Sequence, residues 1–92
     1  MTMKTISILV RGRVQGVFYR KSAATKAKEL GIKGWVKNEP DGSVRIEATA
    51  TEELLDQLVD WCRDGPRHAD VTNVDVEEIK YREFDDFEIQ RE

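Results

Sequence analysis

The sequence predicts an α+β sandwich in the order β-α-β-β-α-β, an antiparallel sheet with two helices on one face. Three observations carry that prediction. Short runs such as Ile6, Ile8, Val10 and Val44, Ile46, Ala48 alternate apolar and polar residues with the period of a strand. Two longer stretches space their apolar residues with the period of a helix. A Glu39-Pro40-Asp41-Gly42 turn joins the two middle strands into a hairpin.

In the first strand, Ile6, Ile8 and Val10 alternate with Ser7, Leu9 and Arg11, and the strand reaches Val14. A helix is expected from about Tyr19 to Leu30, with Ala23, Ala24, Ala27 and Leu30 on one side. The small side chains let it lie close on a sheet, and Gly31 is placed to end it in a left-handed conformation. Ile32 to Asn38 reads as the second strand, and Ser43 to Thr49 as the third, with Val44, Ile46 and Ala48 inward. Thr51 is an N-cap candidate, and Glu52 and Glu53 suit the positive end of a second helix. Its buried face is expected to be Leu54, Leu55, Leu58, Val59 and Cys62, and Asp64-Gly65-Pro66 stops it. Val71 to Ile79 makes a fourth strand, and Phe84, Phe87 and Ile89 suggest a short fifth. Two strand-helix-strand units joined by a hairpin are the ferredoxin-like split arrangement, in which the first and third strands are central neighbours.

The 92 residues are expected to form one domain spanning residues 1–92. The chain is 39% hydrophobic and 36% charged with a net charge of −3, which is globular and does not have the basic balance of a nucleic-acid binder. An anionic substrate gains nothing from the overall field, so any attraction must be local. Cys62 is the sole cysteine, which excludes an intrachain disulfide and a cysteine metal cluster. Residues 1–8 lack the apolar core of a signal peptide, and no apolar run has membrane length, so a cytoplasmic location is expected.

Val10 to Arg20 runs from a strand through a glycine turn into a helix start. The N–H groups of such a turn have no partners within the helix and form an anion site. Arg20 adds a planar fork matched to phosphate oxygens. Gly16 lets the backbone approach a ligand closely. On its own the segment reads as an ordinary strand-to-helix turn with a surface arginine. Asn38, closing the second strand, reads on its own as a turn asparagine, although its amide could aim a water molecule. His68 reads as a solvated loop residue, Trp35 and Trp61 as packing residues, and Glu77-Glu78 and Asp85-Asp86 as a solvated face. Arginine, amides and a carboxamide, with no evident general acid, suit an acyl phosphate, whose carboxylate leaves without protonation.

Gly12-Arg13-Val14-Gln15-Gly16-Val17-Phe18-Tyr19-Arg20 resembles the first signature of the acylphosphatase family. Gly34 to Asn38 followed by Gly42-Ser43-Val44 resembles the second, and Gly65-Pro66-Arg67-His68-Ala69-Asp70-Val71 resembles a segment of microbial members. The resemblance covers nearly the whole chain. It implies hydrolysis of carboxyl-phosphate anhydrides without a cofactor. Arg20 and the amides of Gln15, Gly16, Val17, Phe18 and Tyr19 would bind the phosphoryl group, and Asn38 would orient the attacking water. The substrate phosphate itself would accept the water's proton. The expected ligands are an acyl phosphate and inorganic phosphate, with no metal, nucleic acid or membrane, and a monomer is expected. Two positions depart from the family pattern: Tyr19 stands for a phenylalanine, and Ala50 for the glycine closing the second signature.

Two other classes share these features. One is a noncatalytic anion-sensing or carbamoyl-phosphate-handling module. The other is an RNA-binding domain of the same strand order, but such domains stack bases on aromatics in the central strands. Here the third strand has none, and the first has none before Phe18.

Overall fold

The computed structural model describes residues 2–91. Strand β1 (Met3–Arg13) is followed by helix α1 (Tyr19–Glu29), the hairpin β2 (Lys33–Asn38) and β3 (Val44–Thr51), helix α2 (Glu52–Asp64), β4 (Asp70–Ile79) and β5 (Phe87–Gln90). The sheet order is β4-β1-β3-β2-β5, so β1 and β3 are central neighbours as the sequence predicts. Ile8 pairs with Ile46 on one side and Val76 on the other. That register brings Ile6, Ile8, Val10, Val36, Val44, Ile46 and Ala48 into one hydrophobic cluster with both helices.

Helix α1 lies over β2 and β5, and α2 over β4, β1 and β3. Ala23, Ala24 and Ala27 are the buried face of α1, with Leu30 partly buried beside them. Gly31, at φ 73°, ends the helix: its N–H reaches the Lys28 carbonyl at 3.1 Å, and Ile32 N–H reaches Ala27 at 2.8 Å. In α2, Leu55, Leu58, Val59 and Cys62 are buried and Leu54 is half-buried. The Thr51 hydroxyl caps it by accepting from Leu54 N–H at 3.4 Å. Ala50 is buried in the continuous strand β3, opposite Lys4, and has no positive φ, so an alanine there introduces no strain.

One edge corrects the expectation of a wholly antiparallel sheet. β5 runs parallel to β2, with Gly34 opposite Phe87 and Val36 opposite Ile89. The chain leaves β4 at one edge and must reach the other. Four inter-strand steps are about 19 Å, and residues 80–86 reach about 24 Å when extended. The link therefore crosses the sheet face opposite the helices and emerges antiparallel to β4, hence parallel to β2. Phe84 belongs to this link rather than to a strand. The Thr5 and Thr49 hydroxyls lie 2.6 Å apart, and both reach the Arg82 carbonyl, at 3.3 and 2.6 Å. Arg82 N–H returns to Thr5 at 2.9 Å. These bonds satisfy two buried hydroxyls that face away from the helices.

Candidate active site

β1 ends at Arg13 and α1 begins at Tyr19. Val14 and Tyr19, both buried, anchor the two ends of the intervening loop in the core. Within it Gly16 (φ 74°) and Phe18 (φ 64°, ψ 24°) are left-handed. Alternation of hand along a loop turns successive N–H groups toward one concave side. Phe18 is also the N-cap of α1, and no side chain caps that helix. The first loop-to-helix bond is Ser22 N–H to the Phe18 carbonyl at 3.0 Å. The N–H groups of Gln15 to Lys21 therefore donate to no acceptor among the described residues. No acidic residue occupies the first turn of α1, so its positive end is not neutralised locally.

Arg20 sits in the first turn of α1, half-buried, and its Nη1 donates to the Gln90 carbonyl of β5 at 3.1 Å. That contact holds the guanidinium beside the loop. Asn38, the last residue of β2, is half-buried just before the turn closed by Gly42 N–H to the Glu39 carbonyl at 3.1 Å. Arg20 and Asn38 line two adjoining cavities together. One, of about 370 Å³, adds Val14, Gly16, Phe18 and Lys21 among its walls. The other, of about 670 Å³, adds Gln15, Lys37, Glu39 and Pro40. Val17 packs against the hydrophobic core rather than lining either cavity.

The cavities are basic. Arg20 and Arg91 line both, with Lys21 in one and Lys37 in the other. The single carboxylate among these lining residues, Glu39, is engaged by Arg45 at 3.0 Å. The local positive field that a net acidic chain needs for an anion is thus present. Two parts of the site, Arg91 and the Gln90 carbonyl that holds Arg20, escaped the sequence reading. Their signal was there, a short strand followed by a basic residue, but only its parallel placement beside β2 brings it to the loop. His68 is exposed, and neither Glu77-Glu78 nor Asp85-Asp86 lines these cavities.

Tyr19 is 1% exposed, and its hydroxyl donates to the Cys62 carbonyl at 2.8 Å. Its ring packs against Trp61 with centroids 5.3 Å apart. Burial holds its hydroxyl well above the usual phenol range. The ring thus faces the core, and only the backbone of Tyr19 takes part in the loop.

Comparison with known proteins places the chain among acylphosphatases. The acylphosphatase family model matches residues 6–89. An acylphosphatase of Methylococcus capsulatus is 52% identical over 91 residues, covering 98% of this chain and 99% of that protein. The structure of an acylphosphatase from Coxiella burnetii superposes with a TM-score of 0.92 at 40% identity, covering 96% of this chain and 93% of that one. The crystal structure of the acylphosphatase from Bacillus subtilis gives 0.92 at 34% identity, over 98% and 100% of the two chains. With the family model spanning residues 6–89, a relative 52% identical over nearly the whole chain and two acylphosphatase structures sharing its fold, the chain belongs to the acylphosphatase family.

Proposed function

We propose that Arg20 and the N–H groups of Gln15, Gly16, Val17, Phe18 and Tyr19 bind the phosphoryl group of the substrate, and that Asn38 orients the attacking water. The activity is hydrolysis of acyl phosphates to a carboxylate and inorganic phosphate. The observation that supports these roles is the pairing of a loop of unpartnered N–H groups with Arg20 and Asn38 around shared cavities.

Water oxygen attacks phosphorus as the bond from phosphorus to the acyl oxygen breaks, and the electron pair leaves with the carboxylate. Charge on the phosphoryl oxygens is met by the guanidinium fork and the fixed amide dipoles, which need not reorganise during reaction. The leaving carboxylate is stable at neutral pH and takes no proton from the protein. Asn38 can both donate to and accept from the water, so it fixes direction without acting as a base. The transferred phosphoryl group accepts the water's proton.

We further read residues 1–92 as one monomeric, cytoplasmic domain that takes a small molecule and no nucleic acid. Among the described residues no helix is long and apolar enough to cross a membrane. Two ion pairs lie at the sheet face away from the helices, Arg82 with Glu47 at 2.9 Å and Arg45 with Glu39 at 3.0 Å. Light scattering after gel filtration tests the monomer.

The test of the site is hydrolysis of benzoyl phosphate with chelator present, against a phosphate monoester as control. Wild-type protein is expected to cleave the anhydride and spare the ester, and Arg20→Ala is expected to lose the activity. Full activity in Arg20→Ala overturns the assignment.

A further inference from the structure

The loop that carries the free N–H groups and the turn that follows Asn38 are each closed on their own. The loop is anchored by buried Val14 and Tyr19. The turn has Glu39 N–H to the Ser43 carbonyl at 2.8 Å and Gly42 N–H to the Glu39 carbonyl at 3.1 Å. Asp41 adds bonds from Ser43 N–H at 3.0 Å and the Ser43 hydroxyl at 2.6 Å. Neither set of bonds holds one relative to the other. The β1–β3 ladder ends at the pair Val10 and Val44, before either begins. An ion pair from Arg11 to Asp41 at 3.4 Å spans the gap, but both side chains are about half exposed and such pairs constrain little.

The Gln15 side chain spans it with two bonds. Its Nε2 donates to the Glu39 carbonyl and to the Ser43 carbonyl, each at 2.8 Å. An amide nitrogen carries two hydrogens, so both are committed to this turn. Glu39 is joined to Asn38 by a peptide bond, while Gln15 itself belongs to the anion loop.

We propose that Gln15 is a positioning residue for hydrolysis. Its amide clasps the β2–β3 turn to the loop and sets where the Asn38 carboxamide stands relative to the phosphoryl group. This rests on the reading of Asn38 given above. The clasp acts on water placement rather than on phosphate binding, because the loop N–H groups and Arg20 are held by other contacts.

The experiment measures kcat on benzoyl phosphate and calorimetric Kd for inorganic phosphate. It uses Gln15→Met, Gln15→Glu and Asn38→Ala, and each Gln15 variant combined with Asn38→Ala. Met lacks both donors. Glu keeps the length and sets carboxylate oxygens against two carbonyls. Each Gln15 variant alone is expected to lower kcat roughly tenfold, since small misplacements at a reacting centre carry losses of that order or more. Phosphate Kd is expected to change less than about twofold, which also reports that the loop remains folded. In the Asn38→Ala background neither Gln15 change should lower kcat further, because residues acting through one another are not additive. An undiminished further loss in that background overturns the proposal, as does a Kd that weakens in step with kcat. If Asn38→Ala alone leaves kcat intact, the water-orienting role of Asn38 falls and the clasp falls with it, a pattern distinct from the first two.

Discussion

The Tyr19 hydroxyl donates to the Cys62 carbonyl at 2.8 Å, joining the first turn of α1 to the last turn of α2. Pro66 explains why that carbonyl is free. It stands four residues beyond Cys62, where a continuing helix would supply an N–H, and proline has none. Gly65 N–H serves the preceding carbonyl, of Trp61, at 2.8 Å. The Tyr19 hydroxyl thus satisfies an acceptor that would otherwise be buried alone.

Tyr19→Phe is therefore expected to cost about 1–2 kcal/mol of stability, the penalty for a buried polar group left unpaired. Urea unfolding measures it. Turnover of benzoyl phosphate should stay near the wild-type value, because the ring faces the core. The penalty should shrink in a Pro66→Ala background, where an N–H becomes available to Cys62.

Alkaline pH should weaken the fold through the same pair. Burial pushes the Cys62 thiol up from 9.0 to about 12 and moves the Tyr19 hydroxyl in the same direction. Below the unfolded-state value both states hold the proton, and the contribution to stability is complete. Above it the unfolded chain releases the proton while the folded chain does not, so stability falls with rising pH until the folded value is passed. The urea midpoint is expected to drop between about pH 9 and about pH 12, and Cys62→Ala should remove part of that drop. At pH 8 the native thiol should resist alkylation by iodoacetamide and react only on unfolding.

Arg20 and Asn38 should separate in their effects. Arg20→Lys should lose activity nearly as fully as Arg20→Ala, because a point charge cannot reproduce a two-pronged contact. Asn38→Ala should lower kcat while sparing phosphate affinity, since it touches the water rather than the anion. Phosphate should raise Tm in wild type and Asn38→Ala, as any ligand of the native state does. The shift should vanish in Arg20→Ala, and its survival there would contradict the role given to the guanidinium.

Gly12 should tolerate no side chain. It lies where the β1–β4 register shifts, at φ 126°, and a Cβ there would run into the Asp70 carbonyl oxygen and come within 2.8 Å of the Thr72 nitrogen. Both are backbone atoms that cannot turn aside. Gly12→Ala is expected to cost about 2 kcal/mol or more, read by urea unfolding. Gly16 is the contrast. A Cβ there meets nothing within 4 Å of the chain, so Gly16→Ala should cost only the left-handed penalty, about 1 kcal/mol. Its larger effect should be on phosphate Kd, since the new methyl enters the space before the loop.

The sequence by itself determined which segments are strands and which are helices, because periodicity is a local property. It determined the cap at Thr51, the left-handed stop at Gly31 and the buried stripe of α2 for the same reason. It also named Arg20 and Asn38, through two signature segments, without showing that they share a cavity. Tertiary structure alone decided what depends on partners distant in sequence. The parallel seat of β5 brings the Gln90 carbonyl to Arg20 across a separation of 70 residues. The Gln15 clasp spans 24 and 28 residues, and the Tyr19 bond to Cys62 spans 43. A hydrogen bond between such groups leaves no trace in the spacing of apolar residues. It exists only once the core has packed and set one element's polar atoms against another's.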